Sequence, residues 1–151
     1  MSVNASAPDL TQRPPRSPRV RLGGFVTLPR IIDKGRAKLA GRNGEYNYNG
    51  PLDHRFFKFV KIDQEVLLAQ IATGKGDWEL LSWVLENAGH KPSAWEITQW
   101  SAHVESIGPE TLAGKERFVK LLSESAPERT DINTLFDRLD LDDHLTFGGK
   151  A

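Results

Sequence analysis

The stretch from Leu22 to Gly41 constrains this chain more than any other, because it describes a helix with two faces that want different surroundings. At about 100° per residue, Leu28, Ile31, Ile32, Gly35 and Leu39 fall on one side, while Arg30, Lys34 and Lys38 recur one turn apart beside them. The first face needs a core. The second is read as a seat for an anion, with plain solvation as the competing reading. Gly23-Gly24 permits a sharp bend before the helix, and Pro29 suits its first turn. Gly35 lies within the apolar face, where it costs about 1 kcal/mol relative to Ala, so a closely packed neighbour is expected there.

Upstream, Arg13-Pro14-Pro15-Arg16-Ser17-Pro18-Arg19-Val20-Arg21 reads as an extended, Pro/Arg-rich strap over residues 13–21. It either tracks phosphates or lies across the domain with its guanidiniums paired to carboxylates. Formal charge sums to zero over the 151 residues, yet it is divided: the chain is +8 through Lys61 and −8 after it. Such a division suits a basic surface for an anionic partner, or an acidic half that docks on the basic half of its own chain or of a second copy.

Asn43-Gly44-Glu45-Tyr46-Asn47-Tyr48-Asn49-Gly50 sets two tyrosines between Asn-Gly turn signals and is read as a short strand, hairpin arm or ordered loop. If extended, it puts Tyr46 and Tyr48 on one side, able to stack a base, grip a phosphate or cap an apolar edge. From Pro51 onward the pattern is helical. Leu52, Phe56, Phe59 and Val60 follow Pro51. Asp63 caps a Val66, Leu67, Ile71 stripe ended by Gly74, and Asp77 caps a helix with Leu80, Leu81, Val84 and Leu85. Ser93-Ala94-Trp95-Glu96 is a capping box, Gly108-Pro109 breaks the chain before a segment with Phe118, and Thr130 or Asp131 starts a last helix with Ile132, Leu135, Phe136 and Leu139.

These signals predict an all-α fold, a compact bundle of six to seven helices with at most a small β-hairpin or strand near 43–50. Residues 1–10 are expected to be a disordered N-terminus, 11–147 a single helical domain, and 148–151 a frayed tail. The absence of cysteine excludes disulfides and thiolate chemistry and fits a reducing compartment. No apolar run approaches the roughly 20 residues of a bilayer span, and the N-terminus lacks the features of a secretion signal, so a cytoplasmic protein without membrane contact is expected.

Familiar chemistry is sparse. Gly74-Lys75-Gly76-Asp77 precedes a helix but is too short for a P-loop and places Asp77 where a phosphate would sit. The four histidines have no metal-ligand spacing, and no third or fourth ligand joins Glu96 and His103 on their helix face, so neither metal nor cofactor is expected. Asp140, Asp142, Asp143 and His144 fit no calcium loop and read as a solvated end. Among the tryptophans, Trp95 and Trp83 lie off the apolar arcs of their helices and are the candidates for exposure.

The run Pro15 to Phe25, then Leu28-Pro29-Arg30-Ile31-Ile32-Asp33-Lys34-Gly35-Arg36-Ala37, Gly44-Glu45-Tyr46, Asp53-His54-Arg55-Phe56 and Gly74-Lys75-Gly76-Asp77 resembles an uncharacterised bacterial family known as domain of unknown function 5069. The resemblance covers about Leu10 to Trp100. It implies a freestanding bacterial domain and assigns no catalytic residue.

The residues therefore carry the functional expectation. It is a binding module that presents Arg16, Arg19, Arg21, Arg30, Lys34, Arg36 and Lys38, with Tyr46 and Tyr48 beside them, to a nucleic acid or an acidic protein. An alternative places a small carboxylate or phosphate metabolite in a pocket between the 28–41 helix and the 43–50 segment, held by Arg30 or Arg36, with Asp33 or His54 handling a proton. Asp33 could instead pair with an arginine of the strap. A third reading is a homo-oligomer whose charged halves meet across the interface. Whether the protein is an enzyme is left open by the sequence.

Overall fold

A computed structural model describes residues 7–151, and among these the fold is all-α as the pattern predicts. Its helices are α1 (Leu28–Leu39), α2 (Pro51–Val60), α3 (Gln64–Ile71), α4 (Asp77–Asn87), α5 (Ala94–Ser106), α6 (Leu112–Ser125) and α7 (Leu135–Thr146). No strand forms over 43–50 among the described residues; that segment is an ordered succession of turns, and the one β-like feature is an isolated bridge between Leu22 and Phe25. The bridge closes on Gly23 and Gly24 at φ 59° and 85°, the paired positive values that a tight reversal of this hand requires.

α1 is the central element. Leu28 through Gly35 are buried without interruption, so the helix has no solvated face over its first two turns. Its apolar side packs on α2 and α3, and α3 in turn on α4, around a core that includes Phe25, Leu28, Ile31, Ile32, Phe56, Leu67, Ile71 and Leu80. Gly35 fits here because a Cβ would stand 2.7 Å from Ile71 Cδ1 and 3.3 Å from Tyr48 Cε1. The close neighbours are side chains, and their packing offsets the helical cost of glycine.

Two smaller apolar clusters attach the C-terminal helices. Val26, Val104, Ile107 and Phe136 join the residues before α1 to α5 and α7, while Phe118, Ala126, Ile132 and Leu141 join α6 to α7. Stacked Phe59 and Trp100, with centroids 4.9 Å apart, extend the main core toward α5.

The expected boundaries need several corrections. Leu10, placed with the disordered terminus, is buried, and its N–H donates to Arg42 O at 2.8 Å; the expectation for residues 1–6 lies outside the described residues. The last helix starts at Leu135 under a Thr134 cap, because Ile132 belongs to the preceding loop and is buried against α6. Asp77 is not a cap: Gly76 holds that position, and the Asp77 carboxylate turns to arginines instead. Val66 and Leu85, read as inward, are 49% and 42% exposed, since their helices bury narrower stripes than the pattern suggested. Trp95 is exposed as expected, but Trp78 is the second exposed tryptophan, and Trp83 packs partly against the core. The chain past α7 turns back, with Gly149 N donating to His144 O at 2.8 Å, rather than fraying at once.

Candidate functional site

The basic side of α1 is covered, and carboxylates from distant parts of the chain do the covering. Arg30 is 4% exposed, and its guanidinium donates to both oxygens of Asp143 on α7, at 2.8 and 3.3 Å. Tyr46 adds a hydroxyl bond to the same carboxylate at 2.8 Å, beneath the Arg30 guanidinium that lies 5.5 Å from its ring centroid. One turn further, Lys34 Nζ sits 2.5 Å from Asp53 Oδ2, and Gly50 N–H also donates to that oxygen at 2.9 Å, capping α2. Burial is the main influence on the Lys34 ammonium and, only partly offset by Asp53, holds it below the usual lysine range. Burial and the Asp143 carboxylate push the Tyr46 hydroxyl above the usual tyrosine range, so it remains a proton donor.

The strap is neutralised in the same way. Arg16 donates from its backbone N–H and from Nε to Asp33 Oδ2 at 2.9 and 3.0 Å, and reaches Asp77 at 2.7 Å. Asp33 is therefore the strap's anchor, as the competing reading of that residue has it. Arg19 pairs with Asp137 and, at 3.0 Å, with Asp140, Arg21 with Glu105 at 3.1 Å, and Arg36 with Asp77 at 3.0 Å. Of the expected cation set, Lys38 alone has no carboxylate partner among the described residues; it lies 5.7 Å from the centroid of the Tyr48 ring. Tyr48 is buried and donates to Gln64 O at 2.8 Å. His54 is exposed and lines a separate open groove with Lys58, Trp100 and His103. No open basic face forms from these residues. The end of the chain that reads as a solvated acidic cluster instead supplies Asp143, which is 6% exposed, to the core of the charge network.

What the structure does bring together is a cavity of about 340 Å³. α1 contributes Arg30 and Lys34, the tyrosine segment Glu45 and Tyr46, α2 Leu52 and Asp53, and α7 Leu135, Arg138, Leu139 and Asp142. This is the size of a small-metabolite pocket, and most of its lining residues are polar, with Arg30, Lys34 and Arg138 sharing the wall with Glu45, Asp53 and Asp142. The sequence pointed to its α1 and 43–50 walls and missed the α7 wall, whose Leu135, Arg138, Leu139 and Asp142 share one helical face.

Two of its residues stand apart. Thr27 is the N-cap of α1 and also lines the cavity, yet its hydroxyl makes no cap bond, is shielded from solvent and has no partner. Its backbone is left-handed, at φ 67° and ψ −24°, a conformation a β-branched residue rarely adopts. Strain of this kind costs about 1–3 kcal/mol and the unsatisfied hydroxyl a similar amount. No periodicity in the sequence signals such a cost. Arg138 is half-buried and, in contrast to the arginines of the expected set, has no side-chain hydrogen bond or ion pair to any described residue. Its position between Leu135 and Leu139 carries no local signal that separates it from an ordinary amphipathic flank.

Among the described residues no cluster of three or more histidines, aspartates and glutamates is arranged to hold a metal, and no helix is long and apolar enough to cross a membrane. No curated protein matches the chain. Residues 12–145 match the family described as Domain of unknown function (DUF5069), and the chain belongs to that family.

Proposed function

We propose that the protein binds a small organic anion, a carboxylate or phosphate ester, in the cavity between α1, the 43–50 segment and α7. The observation that carries this reading is Thr27, a strained N-cap with an unpartnered hydroxyl at the wall of a pocket. An uncapped helix start leaves backbone N–H groups without internal acceptors and has a positive end of the helix dipole, both of which favour an anion. Arg138 brings a guanidinium from the facing wall that is not spent on the protein's own carboxylates. Arg30 and Lys34 are occupied by Asp143 and Asp53, so Arg138 is the lining cation left to meet an anion.

The test is a thermal-shift and calorimetric screen against phosphate, phosphorylated sugars and mono- and dicarboxylates at two salt concentrations. A ligand present at a hundredfold excess over its Kd raises stability by about 2.7 kcal/mol. Binding should be saturable and should fall at least tenfold in Arg138→Ala, whose own stability should match the wild type because that side chain has no internal partner. Silence across the anion panel, or undiminished binding by Arg138→Ala, refutes the reading; a hit for nucleic acid that weakens steeply with salt would replace it with a surface-binding role.

A further inference from the structure

We propose that Lys34 is a nucleophilic amine that forms an imine with a carbonyl-bearing anion held in this cavity, with Asp53 carrying the proton. The inference rests on reading the cavity as a small-anion site. Among the lysines of the described residues Lys34 alone is buried, and it shares the cavity wall with Asp53. Their side chains are 8% and 3% exposed. A buried Lys–Asp pair is a poor way to gain stability, because desolvating both ions offsets their attraction and an apolar pair does as well. Its place on the wall of a ligand-sized cavity gives it a chemical use.

Two features prepare the amine. Burial disfavours the ammonium form by more than the adjacent Asp53 restores it, with Arg30 adding a smaller effect in the same direction as burial, and desolvation of this kind is how lysine nucleophiles are activated. Asp53 is held in register by the Gly50 N–H, so its carboxylate stays aimed at Nζ. Distance fits as well. α1 rises about 10 Å between Thr27 and Lys34, and a helical lysine slants back toward the N-terminus, within reach of a short-chain oxo acid whose anionic end sits at the helix start.

The step balances without a co-reactant. The Lys34 ammonium passes one proton to the Asp53 carboxylate. The free amine adds to the carbonyl carbon, the C–N bond forming as the C=O π pair moves to oxygen, and a proton passes from nitrogen to that oxygen to give the carbinolamine. Asp53 returns its proton to the hydroxyl, the C–O bond breaks, and water leaves. One ammonium and one carbonyl thus become one protonated imine and one water, with no change in oxidation state.

The experiment is reductive trapping. Wild-type protein is incubated with glyoxylate, pyruvate, 2-oxoglutarate or glyceraldehyde 3-phosphate and cyanoborohydride, then read by intact mass and peptide mapping, with thermal shift measured in parallel. The expected result is a saturable single adduct at Lys34, suppressed by an excess of lactate or another non-carbonyl anion that raises the midpoint. Lys34→Arg should lose the adduct while keeping that thermal shift. Where Lys34→Arg does not fold, the wild-type peptide map and the competition decide. A label spread over exposed lysines, or a carbonyl probe that raises the midpoint and leaves Lys34 unmodified, overturns the lysine chemistry and leaves the anion site standing. Absence of both shift and adduct overturns both.

Discussion

Asp143→Asn is the substitution that most directly tests the charge network on which the fold of the pocket depends. In the wild type, Arg30 is 4% exposed and takes both carboxylate oxygens of Asp143, with Arg16 O at 3.3 Å as its remaining acceptor. The isosteric asparagine keeps the volume and one oxygen but leaves a buried guanidinium without a counter-charge. At an effective dielectric of 20 a pair of unit charges about 4 Å apart is worth about 4 kcal/mol, and breaking one partner of a buried pair costs about 3–5 kcal/mol. For a domain of this size each kcal/mol corresponds to about 2–4 °C, so the midpoint should fall by about 6–20 °C. Urea unfolding followed by tryptophan fluorescence should show the midpoint concentration falling with an unchanged slope. Two comparisons isolate the cause. Arg19→Gln, which removes the pairs with Asp137 and Asp140 made by an arginine that is 43% exposed, should cost no more than about 1 kcal/mol. Arg30→Met combined with Asp143→Leu should recover most of the loss, since apolar replacement removes both buried ions together. A loss below about 1 kcal/mol for Asp143→Asn, or a double variant as unstable as the sum of its singles, would refute the assignment of Arg30–Asp143 as a buried, mutually dependent pair.

Thr27→Gly should separate function from stability. It relieves the positive φ and removes the orphan hydroxyl, against about 1 kcal/mol for the added flexibility of glycine and the loss of a buried methyl, so stability should hold or rise by about 1 kcal/mol while anion binding falls. A variant destabilised by more than about 2 kcal/mol would show that the strain reading is wrong. The strap should answer to acid through Asp77, whose carboxyl is held below its ordinary value of 3.8, chiefly by the hydrogen bond from Arg16. With the folded value below the unfolded one, the unfolded state binds the extra proton between them; the stabilisation is complete above the unfolded value and is lost as pH falls through the folded one. Asp77→Asn should therefore flatten the acid limb of stability below about pH 4, and an unchanged slope would mean that other carboxylates hold the strap.

The sequence by itself determined the elements, though not all of their ends. Apolar spacing marked α1 through α5, Ser93 and Glu96 announced the box that starts α5, and Gly23-Gly24 announced the reversal before α1. These signals are local: a cap, a turn or a stripe is read within one or two turns of chain, where backbone geometry and side-chain period decide the outcome. The sequence also marked α1 and the tyrosine segment as walls of a possible pocket, and offered Asp33 as a partner for the strap. What it could not reveal was which charges would meet. Arg30 and Asp143 are 113 residues apart, and Arg16 and Asp77 are 61 apart, so nothing in the spacing near either member names the other. An arginine that ends in a buried pair and one that faces a cavity have the same local pattern, which is why Arg30 read as an anion-binding group and Arg138 went unremarked. Only the packing of α7 and α2 against α1 decided that the basic face would be covered, that Thr27 would carry its strain beside an open volume, and that Lys34 would be the buried lysine. Those are consequences of desolvation, which depends on every element that surrounds a group and on none of its neighbours in the chain alone.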